Sequence, residues 1–141
     1  MKNTVTTKWL GNMKFESTNP SGKTLTIDAG PESGGEGDGL RPKALMLSGL
    51  AGCSGLDVVH MIGKMRLEVA DFEIVTEAEL TDENPKYYKS VVMHFNFYGD
   101  DLNETKLKRA VDLSVEKYCG VMEMFRQFAE MSVQINFNPE K

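Results

Sequence analysis

The sequence predicts a single α+β domain spanning residues 1–141, and three observations predict it. Short segments rich in Thr, Val and aromatic residues fill the first third of the chain. One long apolar segment follows, bounded by Pro42 and Lys64. Beyond it come two extended strand-like stretches, a return of helical periodicity, and a last strand. A chain of 141 residues with 40% hydrophobic content is long enough to bury a core of its own.

The opening strands are "TVTTKWL" (Thr4–Leu10), "MKFEST" (Met13–Thr18) and "KTLTID" (Lys23–Asp28). "GN" and "NPSG" stand between them as turns. Spacings this short imply an antiparallel meander. The next stretch, "AGPESGGEGDGLRP", carries glycine at 30, 34, 35, 37 and 39 and reads as a mobile surface loop. It is no phosphate cradle. The Gly-Lys-Ser/Thr that opens such a helix is missing, and Glu32, Glu36 and Asp38 repel an anion.

Pro42 suits the first turn of a helix, where its missing N–H costs nothing. The helix expected from Pro42 to Lys64 has apolar residues around nearly its whole circumference, among them Leu45, Leu47, Leu50, Leu56, Val58 and Ile62. A helix apolar all round must be covered on all sides. That predicts a tight homodimer enclosing it, burial within its own domain being the alternative. Gly49, Gly52 and Gly55 each weaken the helix by about 1 kcal/mol relative to Ala. Their spacing of three is expected to put them on one side, open to close backbone approach.

"DFEIVTEAELTD" (Asp71–Asp82) and "YYKSVVMHFNFYGD" (Tyr87–Asp100) read as a long hairpin closed by "ENPK". Glu73, Val75, Glu77 and Glu79 mark the more polar face of its first strand. "LNETKLKRAVDLSVEKY" (Leu102–Tyr118) is a second helix, with Asn103 as N-cap and Glu104 in the first turn. A short helix follows the break at Gly120, and "SVQINFN" (Ser132–Asn138) closes the chain as a strand.

Net charge of −5 and a pI near 5.1 disfavour nucleic acid and anionic membrane as partners, and neither is expected. No apolar run is expected to reach the roughly 18–20 residues that span a bilayer. The first residues lack the apolar core of a signal peptide. A soluble, cytoplasmic protein is expected. Its two cysteines are too few for a disulfide framework.

Cys53, Asp57 and His60 share one helix face, but the rise of about 1.5 Å per residue puts Cys53 and His60 roughly 10 Å apart. That distance rules out a Cys–His dyad within the helix. Asp57 is close enough to act on the thiol, and its charge raises the pKa. No CxxC or HxxxH pair provides a zinc site. His60 reads as a solvated helix-end residue and His94 as an ordinary sheet residue. Cys119, between two helices and next to Lys117, has the more activating local setting; Cys53 needs help from outside its own helix. Both cysteines serving only as small packing residues remains the alternative.

The element order, the "LMLSGLAGCSGLDVV" helix and the "RAVDLSVEKYCGVMEMF" segment together resemble the OsmC/Ohr family, the osmotically inducible and organic hydroperoxide resistance proteins, and its OsmC-like subgroup in particular. The resemblance implies an OsmC-like fold in which an antiparallel sheet wraps a long central helix and two chains intertwine as a homodimer. It implies a thiol-dependent peroxidase that reduces organic or hydrogen peroxides without metal, haem or flavin. Cys53 matches the peroxidatic cysteine and Cys119 the resolving one, with an external dithiol as reductant. In members that reduce hydroperoxides, a Pro-Glu pair opens the central helix and holds a catalytic arginine. Here the same place reads "RPKAL", with Lys43 in the glutamate position, and no arginine precedes Arg41. Arg41 and Lys43 are the candidate substitutes. The second reading is therefore a non-catalytic redox-sensing or small-molecule-binding protein, with Met46, Met61, Met122, Met124 and Phe125 as candidate cleft residues.

Overall fold

Three short strands, Thr7–Gly11 (β1), Lys14–Thr18 (β2) and Thr24–Ile27 (β3), open the computed structural model, which describes residues 1–141. They pair in order as the expected antiparallel meander, with Trp9 opposite Phe15 and Phe15 opposite Ile27. The chain forms two compact units, Met1–Met46 and Leu47–Lys141, and the long helix Pro42–Lys64 (α1) begins in the first and continues in the second.

In the first unit, the glycine-rich loop differs from the mobile segment expected of it. Asp28 is 1% exposed, and its Oδ2 accepts from the backbone N–H groups of Glu36 and Asp38, both at 3.1 Å. The Lys14 ammonium bridges Glu36 Oε2 at 2.6 Å and Asp38 Oδ2 at 2.7 Å. Arg41 donates from Nη1 to the carbonyls of Asp28 and Gly39. The loop folds so closely that a Cβ on Gly35 would lie 2.0 Å from the Ala29 carbonyl oxygen. Glu36 and Asp38, two of the acidic residues that argued against an anion site, are the points at which Lys14 and Asp28 hold the loop.

Burial alone would push the Asp28 carboxyl up, but the N–H donors of Asp38, Glu36 and Ala29 bring it below the ordinary carboxylate range. A carboxyl depressed in the folded state stabilises above its unfolded value, about 3.9, and loses that contribution as pH falls through its folded value. Hydrogen exchange at the Glu36 and Asp38 amides, taken relative to the intrinsic rate at each pH, should therefore stay slow at neutral pH and quicken only below about pH 4. In Asp28→Ala it should be fast throughout.

The second unit pairs Asp71–Leu80 (β4), Tyr88–Tyr98 (β5) and Glu130–Phe137 (β6) in that order. β4 and β5 form the predicted antiparallel hairpin. β6 joins β5 in parallel, so this sheet is mixed rather than antiparallel throughout. The physical reason is the connection: two helices, Glu104–Leu113 (α2) and Gly120–Arg126 (α3), lie between β5 and β6 and carry the chain back to the starting end of β5.

The register puts one apolar face in rows across the three strands. Phe72, Phe97 and Phe137 form one row, Ile74, Phe95 and Ile135 the next, and Ala78, Val91 and Met131 another. Val91, Met93, Phe95 and Phe97 of the central strand are fully buried. The opposite face is polar, as the glutamates of β4 indicated. Asn136 donates to Asn96, Asn96 donates to Glu73, and His94 lies 3.4 Å from Glu77. His94 is thus the sheet residue it was expected to be.

α1 has the predicted bounds. Its buried line is Leu50, Ser54 and Val58, at i, i+4 and i+8. The three glycines expected on one side are divided. A Cβ on Gly55 would meet Ile74 Cδ1 of β4 at 3.3 Å, whereas Gly49 and Gly52 face open space. Steps of three residues fall short of a full helical turn, so the line of glycines rotates around the axis. Contrary to the expectation that no segment reaches spanning length, this helix is long and apolar enough to cross a bilayer by length and composition. The core helix of a soluble protein passes the same test, and Ser54, Asp57 and His60 interrupt the apolar run.

Candidate active site

α2 is capped as its sequence indicated, with the Asn103 side chain accepting from the Lys106 N–H at 3.1 Å. Its last turn does not continue as a regular helix. Residues Ser114–Tyr118 widen into a π-helical turn, closed by the Cys119 N–H donating to the Ser114 carbonyl at 2.8 Å. Arg126 ties the turn to the end of α3 by donating to the Val115 carbonyl. Cys119 then leaves the helix in an extended conformation and serves as the N-cap of α3, its sulfur accepting from the Met122 N–H at 3.3 Å.

This turn faces the buried line of α1. Ser54 and Ser114 are both fully buried, so their hydroxyls need partners within the protein. Ser54 donates to the Cys119 sulfur at 3.2 Å. The Ser114 hydroxyl lies 2.9 Å from Asp57 Oδ2 and 3.3 Å from the Ser54 carbonyl. These contacts tie two turns of α1 to the π-helical turn across some sixty residues of sequence.

The clamp sets the two thiols, both free, beside each other. Cys119 is only 4% exposed, whereas Cys53 is half-buried. The Cys53 thiol neighbours the Cys119 sulfur and the Val121 N–H. Of the amides in the first turn of α3, Met122 donates to the Cys119 sulfur. Burial pushes the Cys53 thiol above its ordinary range; the Cys119 sulfur and the Asp57 carboxylate add to that, and the Val121 N–H opposes it. The sequence had anticipated the sign of the Asp57 effect. Alkylation of Cys53 by iodoacetamide is expected to rise with a midpoint above the ordinary thiol value of about 8.5, and Asp57→Asn to lower that midpoint.

The other sequence candidates divide. His60 is exposed, and it lines an open hollow of about 320 Å³ with Asp57, Met61, Lys64 and Tyr118. The Lys117 ammonium lies 5.3 Å from the centre of the Tyr118 ring. Met122 and Phe125 belong to the core, at 1% and 2% exposure, so they line no cleft; Met124 is exposed. Arg41 is engaged within its own loop, and Lys43 is exposed. Sequence reasoning missed Ser54 and Ser114. The available signal was a serine at the centre of the otherwise apolar line Leu50–Ser54–Val58.

The family model described as OsmC-like protein matches residues 35–134. The chain is 35% identical over 121 residues to Protein YhfA of Escherichia coli (strain K12), covering 85% of this chain and 87% of that protein. Its fold is similar to the crystal structure of a hypothetical protein from Aquifex aeolicus VF5, with a TM-score of 0.80 and 29% identity over 99% of both chains. It is also similar to an organic hydroperoxide resistance protein OsmC from Legionella pneumophila, with a TM-score of 0.70 and 20% identity over 96% of this chain and 97% of that one. At that identity the likeness concerns the fold alone.

Proposed function

This chain belongs to the OsmC-like protein family, and from that premise we propose that it is a thiol-dependent peroxidase running a Cys53/Cys119 cycle on organic or hydrogen peroxide. The observation that carries the reading is the pair of free thiols set side by side, one half-buried and one enclosed. Their unequal burial supports Cys53 as the attacking thiol and Cys119 as the resolving one. A peroxide reaches Cys53, so its thiolate attacks the distal oxygen of the O–O bond. That bond breaks, an alcohol or water departs with a proton, and Cys53 becomes a sulfenic acid. The Cys119 sulfur then attacks Cys53 Sγ, the S–O bond breaks, water leaves, and a disulfide remains. An external dithiol restores both thiols and is itself oxidised to a disulfide. No metal, haem or flavin enters this cycle.

Intact mass spectrometry after one equivalent of tert-butyl hydroperoxide tests the reading. The expected product has lost two hydrogens and maps to a Cys53–Cys119 bond, and added dithiol supports repeated turnover. Thiols that stay free under these conditions, with no turnover under several reductants, would remove the proposal.

A second reading is favoured by one observation, the raised Cys53 thiol. A thiol held in its neutral form reacts slowly at neutral pH. On this reading the pair senses oxidants or accompanies a bound small molecule without turning over. Slow, stoichiometric oxidation without catalysis distinguishes it from the peroxidase.

The working form in this proposal is a homodimer, with residues 1–141 acting as one domain in the cytoplasm. Support comes from the uncovered side of α1, where Gly49, Gly52, Leu56, Val59 and Gly63 repeat at steps of three and four. Leu56 is 75% exposed and Val59 55%, and the three glycines meet nothing within 4 Å. Such a stripe suits close packing against the same helix of a second copy. Leu56→Glu is expected to shift the sedimenting species from two chains to one; a wild-type protein that sediments as a single chain would end the dimer proposal.

A further inference from the structure

We infer that Ser54 is a positioning residue for the reductive half of the cycle: its hydroxyl marks Cys119 as the sulfur that leaves when an external thiol opens the disulfide, so the incoming thiol joins to Cys53. The inference rests on the thiol–disulfide reading above and gives that reading a direction.

Two independent features of the site point the same way. The first is access. Cys119 is 4% exposed and Cys53 is half-buried, so an incoming thiolate can line up on Cys53 and not on its partner. The second is hydrogen bonding. Cys119 Sγ accepts from the Ser54 hydroxyl at 3.2 Å and from the Met122 N–H at 3.3 Å. Cys53 has no hydroxyl donor; it meets the Val121 N–H on one side and the Asp57 carboxylate in its surroundings. Exchange is faster when the departing sulfur carries its charge well, and hydrogen bonds to a charged atom are about twice as strong as neutral ones.

The placement of the Ser54 hydroxyl is specific. A serine inside a helix commonly turns its hydroxyl back to the carbonyl four residues earlier. Here the hydroxyl crosses to the π-helical turn, and the Ser114 contacts with the Ser54 carbonyl and Asp57 hold the two backbones in place. The exchange balances in two steps. The external thiolate attacks Cys53 Sγ, forming one S–S bond. The Cys53–Cys119 bond breaks, and its electron pair goes to Cys119, which receives the Ser54 and Met122 hydrogen bonds and later takes a proton from solvent. The second thiol of the dithiol then displaces Cys53, leaving the dithiol oxidised and the protein reduced.

The test starts from protein oxidised with one equivalent of tert-butyl hydroperoxide, treated briefly with glutathione, quenched with N-ethylmaleimide and mapped by peptide mass spectrometry. The expected result is glutathione on Cys53 and maleimide on Cys119. Glutathione on Cys119 overturns the assignment while leaving the cycle intact. Failure to obtain the starting disulfide overturns the cycle, and this inference with it. Ser54→Ala is expected to slow the first exchange about tenfold at neutral pH. Ser54→Thr, which keeps the hydroxyl, is expected to restore the rate. An unchanged rate in a folded Ser54→Ala protein overturns the inference. If that variant does not fold, glutathione on Cys119 of the wild-type protein still overturns the inference.

Discussion

On the proposed cycle, Cys53→Ser is expected to end hydroperoxide consumption, with a loss on the order of 10³-fold or more, as when a nucleophile is removed. The serine hydroxyl fills the same space but forms no thiolate, so nothing attacks the O–O bond. Cys119→Ser is expected to behave differently, consuming one equivalent of peroxide and stopping at the Cys53 sulfenic acid, which dimedone captures and which excess peroxide drives to sulfinic acid. The contrast between the two variants carries more than either alone. A packing role for both cysteines predicts two similar, mild losses of stability and no chemical difference. Peroxide consumption followed in a coupled dithiol assay, with dimedone labelling alongside, checks the pair.

Phe97→Ala lowers stability by about 3–5 kcal/mol, read as a fall in the urea midpoint at constant slope. Phe97 is fully buried at the centre of a three-phenylalanine row. Its ring stacks on Phe72 at 4.6 Å between centroids and neighbours Phe137 at 6.0 Å. Truncation opens a cavity that two flanking strands cannot close without breaking register, and it removes both ring contacts. Against a total of about 5–15 kcal/mol for a domain, such a loss leaves little reserve. Phe128 provides the comparison: it is 39% exposed, so Phe128→Ala is expected to cost about 1 kcal/mol or less.

What the sequence revealed and what it hid follow from the range of the interactions involved. The bounds of α1, the Asn103 cap and the polar face of β4 rest on local signals, and each was legible in a few consecutive residues. The parallel placement of β6 was not, because strand direction depends on how α2 and α3 carry the chain back. The order in the glycine-rich loop was hidden for the same reason: Lys14 and Asp28, which organise it, lie outside it. Gly55 shows a finer limit, since a spacing of three approximates a helical turn only over short distances. Residues alone left Cys53 without an activating partner. The resemblance to a family brought Cys119 to its side, and neither route revealed Ser54 and Ser114. Their role exists only where α1 meets the end of α2.

That meeting depends on the π-helical turn Ser114–Tyr118, and on its having one residue more than a regular turn would hold. Each residue of a regular helix advances the chain by about 100° around its axis. Deleting one residue there would restore the ordinary winding and swing the following sulfur by about that angle, away from its counterpart. The length of one helical turn thus sets the angular register of a chemical pair.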